Sequence, residues 1–270
     1  MQLDSIDGEE MSSFIREADM LRPIVDNVSH FLSKDDKWEH FYEVQSPKGV
    51  VDIVLVIFDE HALEQRNVWG VQPVQERSSL EVLVAMSQAQ DSSVFTTTDL
   101  AEKTLYSRSH LRRRILPSLV DLGWVNRINE REWMCTYRYK SPTASINAIE
   151  VKRSEWQRGL MQAASYTEFA NKAYLAMDVT KIPKNRQSIY RSLRHAGVGL
   201  ISVANNPGDQ DTLAVKLEAS ERTKWGNARF VVAERVAAIR ESGGNAGAWG
   251  HVFGRLVSTS SGEDPRNSVS

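Results

Sequence analysis

A buried-looking run that is broken by a carboxylate and an ammonium two residues apart is compatible with few folds. In Ile146–Tyr166, INAIEVKRSEWQRGLMQAASY, Glu150 and Lys152 interrupt a short apolar segment. Side chains at i and i+2 share one face of a strand, so the two charges point the same way if the segment is extended. A polar turn follows, then a helical pattern with Gln162 and Tyr166 four residues apart on one face. Charges at the end of a buried strand are costly unless they serve something. The first reading is that they hold a metal ion and a phosphate. The bland alternative is a same-face ion pair worth little, followed by an ordinary helix surface.

A second charge interrupts the most strand-like run of the chain, VVDIVLVIF over Val50–Phe58, which is rich in β-branched residues. Taken alone, Asp52 reads as a strand-end aspartate that caps a turn or pairs with a lysine. Beside Glu150 on a neighbouring strand it would complete a pair of carboxylates. Magnesium prefers oxygen ligands and commonly takes one or two carboxylates while keeping several waters. Phosphodiester cleavage needs such a cation to neutralise charge and lower the pKa of an attacking water. Lys152 would orient or help deprotonate that water and stabilise the developing phosphorane charge. Gln162 and Tyr166 would brace the lysine, the metal's surroundings or the DNA backbone.

The pattern changes between Asp52 and Glu150. Residues 60 to about 77 read as a linker or irregular crossing. Ser79–Ala89 has a helical period, Thr97 or Thr98 can cap a helix DLAEKTL, and Ser107 can cap RSHLRRRILPSLVDLG, which ends at Gly123. WVNRI and EWMCTYRY then read as two strands joined by NERE. This order resembles a winged helix-turn-helix, with Pro117 an unusual residue in the third helix. In such a module the third helix reads DNA. Here its first turns carry Arg108, His110, Arg112, Arg113 and Arg114, with no acid between Ser107 and Ile115. The formal net charge of the whole chain is -2, so a nucleic-acid footprint must be local, and this is one. A solvated helix face or a protein-docking surface is the competing reading.

Around this module the chain alternates helices and strands. Ser12–Leu32 has an amphipathic helical period containing Pro23, HFYEVQ is a candidate strand, and SPKG a turn. After Tyr139 come a helix from about Ser154 to Lys172, a strand KAYLAMDV, a helix NRQSIYRSLRHAG closed by Gly197, a strand VGLISVA, a possible edge strand TLAVKL, and a helix within Glu221–Glu241. The class is α/β, with a mixed central sheet flanked by helices. The expected division is a discontinuous core over 1–59 and 143–241, an inserted winged helix over 78–140, and a flexible tail over 242–270. Residues 1 to about 10 read as loose.

The order of these elements, with Asp52, Glu150-Val151-Lys152 and Gln162-Ala-Ala-Ser-Tyr166, resembles the PD-(D/E)xK nuclease superfamily, the restriction-endonuclease-like fold. The glutamine–tyrosine spacing looks like the QxxxY motif of its RecB-type branch. The resemblance covers the ordered parts of 12–58 and 143 to about 217. It implies that the Val151 carbonyl adds a third metal oxygen and that a further acid, Glu17 or Glu43, joins the site. Two features depart from the pattern. Val51 stands where the name-giving motif has proline, and a whole module is inserted between Asp52 and Glu150, which requires the insertion's ends to lie close together.

With a single cysteine, Cys135, the chain excludes an internal disulfide framework, a four-cysteine zinc site and the iron–sulfur subtype of RecB-type nucleases. No signal peptide is evident in MQLDSIDGEEM, and no apolar run approaches the roughly 20 residues a membrane helix needs. The expectation is a cytoplasmic protein without membrane contact. Its expected activity is a Mg²⁺- (or Mn²⁺-) dependent deoxyribonuclease acting in restriction or defence, or in DNA repair. The expected partner is DNA, with a homodimer or a larger nuclease complex where both strands must be cut. The alternative is a non-catalytic DNA-binding regulator or complex subunit that uses a nuclease-like scaffold.

Overall fold

The structure is a computed structural model and describes residues 12–28, 37–89, 93–205, 212–223 and 226–246, with the backbone of 251–252 and 255–256. The expectations for residues 1 to about 10, for Phe31 and Leu32, and for most of the tail beyond 246 lie outside these residues.

The helix expected over Ser12–Leu32 is present only in part, as a 3-10 turn Glu17–Met20 running into α1 (Leu21–Asp26). Pro23 falls in the first turn of α1, where a missing N–H costs nothing. β1 (Glu39–Ser46) and β2 (Gly49–Phe58) form a hairpin across the predicted SPKG turn. Gly49 sits there at φ +121, a conformation side chains rarely adopt.

The linker expected over 60–77 is largely a helix, α2 (Glu60–Trp69). Asp59 caps it by accepting the Ala62 N–H at 3.0 Å, and Gly70 ends it in the left-handed region. It escapes a periodicity search because its inward face buries Ala62 and a charged residue, Arg66, rather than an apolar stripe.

The region between β2 and β6, expected as an insertion and called the inserted region below, contains α3 (Arg77–Ser87), β3 (Val94–Thr96), α4 (Thr97–Thr104), α5 (Arg108–His110), a π-helical turn Leu111–Ile115, α6 (Leu116–Asp121), β4 (Val125–Arg127) and β5 (Glu132–Cys135). The three strands form an antiparallel sheet in the order β3-β5-β4. Thr96 caps α4 in a capping box with Asp99, one residue ahead of the expected threonines, and Ser107 caps α5. The wide π turn directly precedes Pro117, whose ring does not fit an uninterrupted α-helix.

β6 (Thr143–Lys152), α7 (Trp156–Tyr166), β7 (Lys172–Asp178), α8 (Arg186–Ala196), β8 (Gly199–Val203), β9 (Leu213–Leu217) and α9 (Asn227–Glu241) complete the chain's main elements. The central sheet has six strands in the order β1-β2-β6-β7-β8-β9. β6, β7 and β8 are parallel and the remaining pairs antiparallel, which makes it a mixed α/β sheet. Both faces are covered. Ile53, Leu55, Ile149 and Val151 pack with Phe14, Met20 and Ile24 of the N-terminal segment. Val54, Val56, Ile146 and Ala148 pack with Tyr166 and Phe169 after α7 and with Val232 and Val236 of α9. α7 and α8 share a further apolar cluster through Ala163, Ile189 and Leu193 over Leu175 and Met177.

The ends of the inserted region meet. Phe58 pairs with Thr143, and the Asp59 N–H donates to the Pro142 carbonyl at 2.9 Å. The inserted region also shares its core with α9. Val231 joins the cluster around Leu83, Ile115, Trp124 and Trp133. Glu234 of α9, fully buried, accepts from Arg66 at 2.7 Å, from the Tyr139 hydroxyl at 2.8 Å and from the Val74 N–H at 2.7 Å. After α9 the chain returns to β1, where the Tyr42 N–H donates to the Asn245 carbonyl at 2.8 Å. Among the described residues no helix is long and apolar enough to cross a membrane.

Candidate active site

The β2–β6 ladder ends at Ile53↔Ile149, and the next residues on the two strands are Asp52 and Glu150. Asp52 extends into the gap that opens there. Its Oδ2 accepts the Val151 N–H at 2.7 Å, taking the place of a strand carbonyl. Glu150 is fully buried. Its Oε2 accepts the Tyr166 hydroxyl at 2.5 Å, and its Oε1 lies 2.5 Å from the Lys152 Nζ without making a well-directed hydrogen bond. Lys152 Nζ also donates to the Val151 carbonyl at 3.1 Å and stands 3.9 Å from a Glu17 oxygen.

A cleft of about 460 Å³ opens over these groups, lined by Glu17, Glu43, Asp52, Glu150, Lys152 and Gln162. Every core-site residue expected from sequence is therefore brought together, with two refinements. Tyr166 is buried beneath the cleft, behind Glu150, rather than facing it. Both candidates for the additional acid are present at the rim. Glu17 arrives on the 3-10 turn, held by the Arg153 N–H at 3.1 Å. Glu43 lies in β1 between the pairs Tyr42↔Ile53 and Val44↔Val51, which sets it across from Asp52. Its φ of 47° is left-handed, a costly state for a residue with a side chain.

Sequence reasoning missed Gly159. A Cβ at this position of α7 would stand 2.5 Å from Leu175 Cδ1 and 2.8 Å from Lys152 Cγ. The glycine lets α7 lie against the lysine stem and fixes where the ammonium ends. Its signal was visible as a helix-interior glycine one turn before the motif glutamine. Arg158 and Glu155, also at the cleft, could have been found from their helical spacing to Gln162.

The electrostatics are those of too many carboxylates for one cation. Burial, and then the neighbouring Glu150, push the Asp52 carboxyl up to about 7, against the opposing pull of the Val151 N–H and Lys152. Burial alone would lower Lys152, but Glu150, Asp52 and Glu17 together raise it, so the side chain is held as an ammonium. Burial and Glu150 drive the Tyr166 hydroxyl far above its usual range, which keeps it a neutral donor.

This donor set fits a hard divalent ion. It is all oxygen, two of its carboxylates are buried, and the buried Gln162 Oε1 has no hydrogen-bond partner among the described residues. Among those residues, no three His, Cys, Asp or Glu side chains converge as a ready-made metal cluster. The protein's share would be Asp52, Glu150 and the Val151 carbonyl, and the Lys152 ammonium rests on two of those groups.

Arg108, Arg112, Arg113 and Arg114 are exposed on α5 and the π turn, and His110 is half-buried against Tyr106 with ring centroids 5.9 Å apart. They belong to the inserted region, and none of them lines the cleft. Comparison of the chain with protein-family models, with curated protein sequences and with solved structures gave no match.

Proposed function

We propose that this chain is a divalent-metal-dependent nuclease that hydrolyses phosphodiester bonds of DNA, built on a restriction-endonuclease-like core with an inserted winged helix. The observation that carries the reading is the meeting of Asp52, Glu150 and Lys152 at the opened end of β2 and β6 in one cleft. A purely structural ion pair would not need the second buried carboxylate, which raises the energy of the first.

Bound in the cleft, Mg²⁺ or Mn²⁺ would neutralise phosphate charge and make a water nucleophilic near neutral pH. Asp52 and Glu150 would hold it, with the Val151 carbonyl as a third oxygen. Tyr166 fixes Glu150 by occupying its Oε2, leaving Oε1 beside the Lys152 ammonium. Lys152 is held as an ammonium, so its role in this reading is to stabilise charge on the phosphoryl oxygens rather than to accept a proton. Gln162, half-buried at the cleft wall, would orient water or a phosphate oxygen through its amide. The order helix, strand, helix, helix, two strands in the inserted region, with Arg108 and Arg112–Arg114 on its third helix, supports placement of a DNA duplex by that module.

The test is incubation of the purified protein with supercoiled, linear and single-stranded DNA, with Mg²⁺, Mn²⁺ or EDTA, beside Glu150→Gln and Lys152→Ala. Metal-dependent cleavage lost in both variants is expected. Cleavage that persists in either variant overturns the site. DNA binding without cleavage under every condition replaces the nuclease by a regulator on a nuclease-like scaffold.

A further inference from the structure

Basic residues crowd a part of the core that the cleft does not use. Between Asp178 and Asp209 the sequence has no acid but holds Lys181, Lys184, Arg186, Arg191 and Arg194. All five are exposed, on α8 or on the turn that leads into it. Several other surface arginines are neutralised locally, as in Arg22–Asp26, Arg77–Glu81, Arg158–Glu155 and Arg240 with Glu39 and Glu60, whereas Arg108 and Arg112–Arg114 of the region between β2 and β6 are exposed like those of α8. Among the described residues, none of the five on α8 and its turn takes part in an ion pair. Asp178, the adjacent acid in sequence, is buried and turned to Ser13, Phe14 and Thr180.

Topology places the turn that leads into α8, and the start of that helix, at the cleft end of the sheet, from which α8 runs back so that Arg191 and Arg194 lie toward the start of β8. β6 and β7 are parallel, so the residues that follow β7 emerge at the same end of the sheet as Lys152, the last residue of β6. This carboxyl end of parallel strands is where α/β sheets bind their ligands. α8 packs on α7 through Ile189 and Leu193, and α7 lines the cleft with Arg158 and Gln162. Packed helices lie about 8–10 Å apart, a step of one or two phosphates along a nucleic-acid strand.

We infer that the exposed face of α8 and its leading turn bind the phosphate backbone of the nucleic acid whose scissile bond lies in the cleft. This is a second contact surface, independent of the inserted module. Its chemistry is that of unneutralised, sequence-blind cations, with Arg194 already preorganised over the Tyr190 ring at 5.9 Å. The inference rests on the nuclease reading for the identity of the strand, though not on catalysis.

The experiment is binding of a fluorescein-labelled 30-base-pair duplex, and of the corresponding single strand, in EDTA over a range of salt. It compares the wild type, Lys184→Gln/Arg186→Gln/Arg191→Gln/Arg194→Gln, and the milder Lys184→Gln/Arg191→Gln. Each neutralised phosphate contact adds about 0.9 to the salt slope on duplex DNA. The quadruple variant should therefore lose about 2 or more from the slope and bind at least about tenfold more weakly, the double variant should lose about half as much slope, and both should melt with the wild type. An unchanged slope in both variants, while the wild type binds, overturns this inference and leaves the nuclease reading standing. Failure of the wild type to bind either probe overturns both. Loss of binding to phosphatidylserine vesicles with DNA binding unchanged reassigns the surface and also overturns the inference.

Discussion

At the scale of single residues the cleft is a place where function and stability pull apart. With Asp52 raised from an ordinary carboxylate value to about 7, the folded chain binds a proton more tightly than the unfolded chain does between about pH 4 and pH 7. The resulting stabilisation is full below the unfolded pKa and is lost as pH rises through the folded one. The metal-free protein should therefore lose stability across this window, and Asp52→Asn, which can still accept the Val151 N–H, should remove that part of the slope. At pH 8 the variant should be more stable than the wild type by on the order of 1–3 kcal/mol, measured by urea denaturation in EDTA. Tyr166→Phe removes the donor to Glu150 Oε2 and should cost about 1.5–3 kcal/mol. If Tyr166 positions Glu150, kcat should fall with little change in KM. A KM effect alone would mean that the tyrosine acts on substrate binding. All of these charged residues were legible in the sequence because a charge inside an apolar strand contradicts its surroundings. Tyr166's burial was not, since a QxxxY spacing fixes a helix face but not what covers it.

At the scale of elements, the close approach of α7 to β6 decides where Lys152 ends. Helix propensity alone would favour Gly159→Ala by up to about 1 kcal/mol. Contacts of 2.5 Å to Leu175 and 2.8 Å to Lys152 reverse that sign, because overpacking a rigid contact costs typically about 1–3 kcal/mol. The variant should be destabilised in a denaturant melt and should cleave more slowly than its folded fraction explains. A stabilised, fully active variant would show that α7 can move away without consequence. The strands of the central sheet were readable as β-branched runs, and Gly197 as the end of α8. α2 was not readable, because its key inward residue is Arg66, whose partner Glu234 lies far along the chain. β3 has only three residues and exists through its pairing with β5, so local sequence carries little trace of it.

At the scale of the whole molecule, the inserted region is fastened to the core rather than tethered to it. Its apolar cluster includes Val231 of α9, and Glu234 gathers Arg66, Tyr139 and the Val74 N–H in one buried node. The Arg66 guanidinium also lies 5.1 Å from the Trp124 ring centre. Removing one partner of such a pair strands a buried charge, so Glu234→Ala should cost about 3–5 kcal/mol. Calorimetry should give a single unfolding transition for the wild type and a split or broadened one for this variant. Two separate transitions in the wild type would mean that the region folds independently. That the segment between Asp52 and Glu150 follows a pattern of its own could be read from the sequence. Its fixed attachment could not, because the attachment depends on residues more than 150 positions apart. The most direct test of the account is Asp52→Asn incubated with supercoiled DNA and Mg²⁺, with its intact fold established by a melting temperature at or above the wild type's. The account predicts a folded protein that leaves the plasmid supercoiled while the wild type nicks it, and nicking at the wild-type rate would contradict it.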